Sequence, residues 1–170
     1  MQVKRMLCAQ PKGLEEKKMK KIFCLCLVLS IVMNAFAENA KSAGLIDSDV
    51  SSFCKNFSKI KSELDKLGVD VSETESLVVG ADVKSKAEKI LNKYGIFGSN
   101  SIEKLYAICY GYAVEYYDAT LANNPQAAQM IKSMGKDPMA EFRKLVADSD
   151  RAVVKKYLTE LTKVFDNDTP

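Results

Sequence analysis

The sequence predicts an all-α fold: a compact single-domain bundle of about five to six helices around a central apolar helix near residues 100–122. Three observations lead to it. Apolar residues recur at three- and four-residue steps through nearly all of residues 48–165. Glycines, prolines and Asx-Pro pairs punctuate those runs at helix starts and stops. No stretch shows sustained alternation or an Asn-Gly or Asp-Gly hairpin signal between apolar runs.

The first helix spans Ser48 to Leu67, with Val50, Phe53, Cys54, Phe57, Ile60, Leu64 and Leu67 on one face and Lys55, Lys59, Ser62 and Lys66 on the other; Gly68 stands at its stop position. Ser72, Glu73 and Glu75 open a short element running through Leu77 and Val78 to Gly80, and Val69 to Val79 is the one region with room for a short strand. Asp82 caps the next helix, whose face is Val83, Ala87, Ile90, Leu91 and Tyr94, and Gly95 ends it. Gly95 to Ser99 is a loop whose Ile96-Phe97 pair is expected to tuck under the domain. In the helix from Asn100 or Ser101 to Ala122, Ile102, Leu105, Tyr106, Cys109, Ala113, Tyr116, Tyr117 and Thr120 form a broad stripe. Ile108, Tyr112, Val114 and Leu121 are apolar outside it, which marks an interior helix. Its one polar strip is Lys104, Glu115 and Asp118 with Gly111.

Asn124-Pro125 starts another helix, which Gly135 stops, and Asp137-Pro138 starts the next by the same device of cap then proline. Asp148 or Ser149 caps a last helix carrying Val153, Val154, Tyr157, Leu158, Leu161, Val164 and Phe165. The helical domain is thus 48–165, preceded by a linker at 38–47 and followed by a flexible tail at 166–170.

Met19 to Ala37 reads as a secretory leader. Lys20 and Lys21 form its charged head, Ile22 to Met33 its apolar core, and Ala35-Phe36-Ala37 its small-residue cleavage site. Twelve apolar residues make about 18 Å of helix against roughly 30 Å of hydrocarbon, so a cleaved leader, with no stable membrane insertion after processing, fits better than a transmembrane span. Residues 1–18 read as an over-called start or an extended head. Export to a periplasmic or extracellular, bacterial setting is the expectation.

The whole chain carries 25 basic and 22 acidic residues, but residues 1–37 hold seven of the basic and two of the acidic ones, leaving 18 basic and 20 acidic in the 133 that follow. With lysines spread among carboxylates there is no clustered basic face, and nucleic acid is not an expected partner. Cys54 and Cys109 remain after Ala37. Export permits a bridge closing a loop of about 55 residues, worth roughly 4 kcal/mol in the chain-entropy model; two separate buried thiols are the alternative.

Histidine and tryptophan are absent. That removes Ser-His-Asp and Cys-His nucleophile systems, two-histidine zinc helices and c-type haem attachment, and no phosphate-binding glycine loop occurs. Asp148-Ser149-Asp150 opens like a calcium loop, but Ala152, Val153 and Thr159 fall where an oxygen ligand, a glycine and a glutamate are required. No metal or cofactor is expected, and Asp47, Asp49, Asp148 and Asp150 are assigned to helix N-terminal charge. Asn56-Phe57-Ser58 and Asn167-Asp168-Thr169 fit the glycosylation sequon, with Asn56 poorly placed because Phe57 belongs in the core.

Two constellations remain. Glu115 and Asp118, with Lys104, are the candidate catalytic set for a hydrolase-like or lyase-like enzyme; their simpler reading is a solvated strip. Tyr106, Tyr110, Tyr112, Tyr116 and Tyr117 are candidate ligand-binding residues, their simpler reading being core packing. The run Ala113 to Leu121 with Pro125 resembles the second helix of a tetratricopeptide repeat. That likeness spans about 13 residues, Thr120 departs from the family's alanine, no first-helix counterpart lies upstream and no 34-residue period recurs, so it implies no array. The expectation is a non-catalytic binding module for a protein partner or a small apolar ligand, with the enzyme as alternative.

Overall fold

The computed structural model describes residues 41–67, 81–133, 135 and 137–167. The leader, the Ser72–Gly80 element and Met134 lie outside them. The described residues form seven helices and no strand: α1 (Asp47–Asp65), α2 (Ala81–Lys93), α3 (Ser101–Asn123), α4 (Pro125–Ser133), α5 (Ala140–Lys144), α6 (Asp148–Lys156) and α7 (Leu158–Asn167). None is long and apolar enough to cross a membrane.

The all-α bundle stands, and α3 is its interior helix. Ala107 to Glu115 are buried without a break. Such a run needs neighbours on every side, and α2, α4, α5, α6 and α7 all pack on it. The most extensive contact is with α6, at Gly111: a Cβ built there would stand 3.0 Å from Val154 Cγ2, so the missing side chain lets α6 approach. This accounts for a mid-helix glycine that otherwise costs about 1 kcal/mol relative to alanine. The main backbone contacts of α1 are with α2, α6 and α7, and it meets α3 through the Asp49–Lys104 ion pair. Phe53, Phe57 and Phe165 form an aromatic cluster there, with centroids 5.3–6.0 Å apart.

Asn124 caps α4 as read, whereas α5 begins at Ala140 with Met139 at its cap, α6 has Ala147 at its cap, and Asp82 lies inside the first turn of α2. Asn124 Oδ1 accepts the Ala127 N–H at 3.1 Å, and Asp137 Oδ1 accepts the Met139 N–H at 2.8 Å. Three details differ from expectation. The last helix is two, broken at Tyr157 (φ −105°, ψ 14°), and α7 continues into the expected tail as far as Asn167. Ile96 is fully buried but Phe97 is 67 % exposed, because Gly95 (φ 89°) and Gly98 (φ 120°) turn the loop sharply around the pair. Residues 41–46, read as linker, place Ala43 and Leu45 in the core.

The cysteine bridge is not formed. Cys54 lies half-buried on α1 and Cys109 buried on α3, as separate thiols on helices whose backbones scarcely meet, whereas a disulfide needs Cα atoms about 4.4–6.8 Å apart. Burial, reinforced by Glu160, pushes the Cys54 thiol up to about 11, so it stays protonated at neutral pH and is a poor nucleophile. The Asn56 amide donates to the Ser52 and Tyr94 carbonyls (3.1 and 3.3 Å), a second reason it is poorly placed as a glycan acceptor.

At the surface, Glu63 of α1 accepts from Lys93 Nζ (2.7 Å) and Tyr94 Oη (2.6 Å). These two hydrogen bonds, Lys93 first, hold its carboxyl below the ordinary glutamate value. Because the folded value lies below the unfolded one, the tie between α1 and the end of α2 is complete above about pH 4.3 and is lost as pH falls through the folded value. Carboxyl chemical shifts are expected to give a depressed Glu63 midpoint that moves upward in Tyr94→Phe. An unchanged midpoint in that variant would remove Tyr94 from the account.

Candidate functional site

In the polar strip of α3, Lys104 and Glu115 are enclosed and Asp118 is part-exposed, and its members are not one site. Eleven residues along a helix separate Lys104 from Glu115 by about 16 Å, and the two ends meet different partners. Glu115, its side chain 7 % exposed, takes Arg151 Nε at 2.9 Å and Nη2 at 2.6 Å on one oxygen, with Lys155 Nζ 3.9 Å from the other. Asp118 receives Arg143 in a two-pronged pairing (3.0 and 2.6 Å) and Arg151 at 3.3 Å. Arg143 also reaches Asp137 at 3.2 Å. Glu115, Asp118, Arg143, Arg151 and Lys155 tie α3 to α5 and α6, and both carboxylates of the candidate catalytic pair are paired with guanidinium groups. The Tyr117 hydroxyl is enclosed with no hydrogen-bond partner, and burial ahead of the nearby Asp137 raises its pKa.

Lys104 is buried at the other end of α3. Its ammonium pairs with Asp49 at 3.0 Å and donates to the Phe97 carbonyl at 3.0 Å. Asp49 in turn accepts the Ile46 N–H at 3.1 Å. Asp150 is buried as well: its carboxylate accepts the Ala43 N–H (2.7 Å), the Leu45 N–H (3.0 Å) and the Ser42 hydroxyl (2.9 Å). So Asp49 and Asp150, read as helix N-terminal charge, act as internal acceptors that fix the segment before α1, whereas Asp47 and Asp148 are exposed as that reading requires.

The tyrosines divide into two groups because Tyr110 and Tyr112, two residues apart, project from nearly opposite sides of the helix. Tyr110 packs between Tyr106 and Phe142 with centroids 6.4 and 6.0 Å away. Tyr112 packs against Tyr116 and Phe165 at 5.6 and 4.6 Å. Tyr110 and Tyr112 are core residues and do not line a common pocket. Tyr116 borders an open groove, of about 350 Å³, between α3 and α7, with Thr120, Asn123, Leu158, Thr162 and Lys163. No group of three or more potential metal ligands occurs among the described residues.

One signal for the ion-pair network lies in the composition. The chain has three arginines, and the two after residue 37 are Arg143 and Arg151 among sixteen lysines. Arginine's planar fork suits enclosed carboxylates better than lysine's point charge, so two isolated arginines in a lysine-rich chain mark interior pairs. Comparisons with family models, with curated proteins and with solved structures find no match to this chain.

Proposed function

We propose that the chain is an exported, non-catalytic helical binding module. The observation that carries this is the fate of the candidate catalytic groups: Glu115 and Asp118 are held by Arg151 and Arg143, while Lys104, eleven residues from Glu115 along α3, is held by Asp49 of α1. A general base needs a carboxylate that can reach a substrate proton; Glu115 is enclosed under Arg151, and Asp118, though part-exposed, is engaged by two guanidinium groups. The α3–α7 groove, floored by Tyr116 and Leu158 and edged by Lys163, suits a small amphipathic ligand with an apolar body and a negative end.

The test has two parts. N-terminal sequencing of exported protein should give a start at Glu38; material still carrying Lys20 to Ala37 would reject the processing step. The fluorescent probe 1-anilinonaphthalene-8-sulfonate should bind the folded protein and lose most of its signal in Tyr116→Ala, while Glu115→Asp leaves it unchanged. Equal binding by all three proteins would reject the groove as the ligand site.

A further inference from the structure

The groove between α3 and α7 is lined by one cation and no acid. Its cation, Lys163, is exposed and pairs with no carboxylate among the described residues, unlike Lys155 and Lys156 at the end of α6, which reach Glu115 and Asp47. Two of its hydroxyls are spent within their own helices: Thr120 Oγ1 donates to the Tyr116 carbonyl at 2.8 Å and Thr162 Oγ1 to the Leu158 carbonyl at 2.7 Å. A hydroxyl that gives its one hydrogen to the preceding turn has none for a ligand, so these positions are less polar than their residue type suggests. Tyr116 is braced from the core side by Tyr112, 5.6 Å away, which in turn packs on Phe165 at 4.6 Å. That wall is therefore set before a ligand arrives, which lowers the entropic cost of binding.

We propose that this groove takes a medium-chain monocarboxylate, its alkyl chain laid between α3 and α7 and its carboxylate on the Lys163 ammonium. The inference rests on the groove reading above and names the class of ligand. One ammonium in a lining without acids balances one negative charge, whereas a phosphate or a dicarboxylate brings two and an amine meets a like charge. The lysine stem can lie along the carboxyl end of the alkyl chain while the ammonium stays in water. The length follows from α3: Tyr116 and Asn123 are seven residues apart, about 10 Å along the helix axis. With C–C bonds near 1.5 Å, an extended chain of about eight carbons spans that distance. Full burial of a methylene is worth about fourfold in affinity, and an open groove gives less than that for each carbon.

The full-chain protein would be titrated calorimetrically with straight-chain carboxylates from butanoate to dodecanoate, each below its micelle threshold, and with octylamine, 1-octanol and inorganic phosphate. The expected result is a single site whose affinity rises by about two- to fourfold per methylene as far as octanoate or decanoate and is level beyond, with no measurable binding of octylamine or phosphate. Lys163→Met should weaken octanoate by about three- to fivefold, the worth of an exposed ion pair, and leave 1-octanol unchanged. Lys89→Met, an exposed position on α2, should change neither. Octanoate and octylamine bound alike, an affinity still climbing at dodecanoate, or a Lys163→Met protein indistinguishable from the parent overturns the proposal. Both lysines are exposed, so neither variant threatens the fold. Octanoate should also displace 1-anilinonaphthalene-8-sulfonate. If the probe binds and is lost in Tyr116→Ala but octanoate fails to displace it, the ligand class is refuted and the groove stands; if Tyr116→Ala leaves the probe untouched, the groove itself is refuted. Self-association of the ligand-free protein that Tyr116→Ala abolishes gives the groove to a second copy of the chain and also overturns the proposal.

Discussion

Arg151→Met is expected to destabilise the domain by about 3 kcal/mol, the lower end of the cost of removing one partner from a buried ion pair. The substitution keeps the length and apolar stem of the side chain but takes both hydrogen bonds from Glu115 and the third contact from Asp118. Glu115 is then left beneath the surface with only Lys155 nearby, 3.9 Å away and itself mostly exposed. Lys155 can close part of that gap, which keeps the cost at the lower end. Glu115→Gln should cost less, because the amide oxygen still accepts from the guanidinium. Urea unfolding of the three proteins gives the ordering directly, and a melting point lower by on the order of 10 °C should accompany the larger loss. If Arg151→Met stays within 0.5 kcal/mol of the parent, Glu115 is solvated after all and its carboxylate becomes available for chemistry.

The outcome bears on function because the same residues carried the enzyme alternative. At the level of sequence, a carboxylate on an apolar helix has two readings, a solvated strip or a desolvated catalytic group. The structure supplies a third, a carboxylate enclosed and neutralised by a guanidinium from another helix. Spacing along α3 does not distinguish the three, since Arg143 and Arg151 lie 25 and 33 residues beyond Asp118. Local signals did carry the fold. The apolar spacing located α1, α2 and α3, and the cap-then-proline pair at Asn124 located α4, because helix starts are decided by hydrogen bonds within a few residues; Asp137-Pro138 marked the approach to α5, which begins two residues later at Ala140.

What did not show was decided by tertiary approach. The break at Tyr157 has no glycine or proline to announce it. The outward turn of Phe97 follows from two positive-φ glycines acting on a pair whose apolar residues look alike in sequence. An aspartate in the first turn of a helix reads the same whether it faces water, as Asp47 does, or the backbone of a distant segment, as Asp150 does. The cysteines follow the same rule: whether Cys54 on α1 and Cys109 on α3 come close enough to bridge is a property of the packing, which their count does not reveal.

Lys104→Met is expected to produce the larger loss, about 3–5 kcal/mol, because its partner is more completely enclosed. The Asp49 side chain is 2 % exposed, against 7 % for Glu115, and no other cation pairs with it among the described residues. With the ammonium gone, the carboxylate keeps only the Ile46 N–H as a described donor and must stay charged in an apolar setting or take up a proton. The double variant Asp49→Leu/Lys104→Met should recover most of the loss, since replacing both members of a buried pair by apolar groups of similar size is often neutral. It should still remain about 1 kcal/mol below the parent, because the carboxylate also caps the start of α1. Urea unfolding of the parent, the two single variants and the double variant forms a closed cycle whose coupling energy isolates the pair. A coupling near zero would mean that Lys104 and Asp49 act independently. The chain of bonds from the Ile46 N–H through Asp49 and Lys104 to the Phe97 carbonyl would then be broken at its centre.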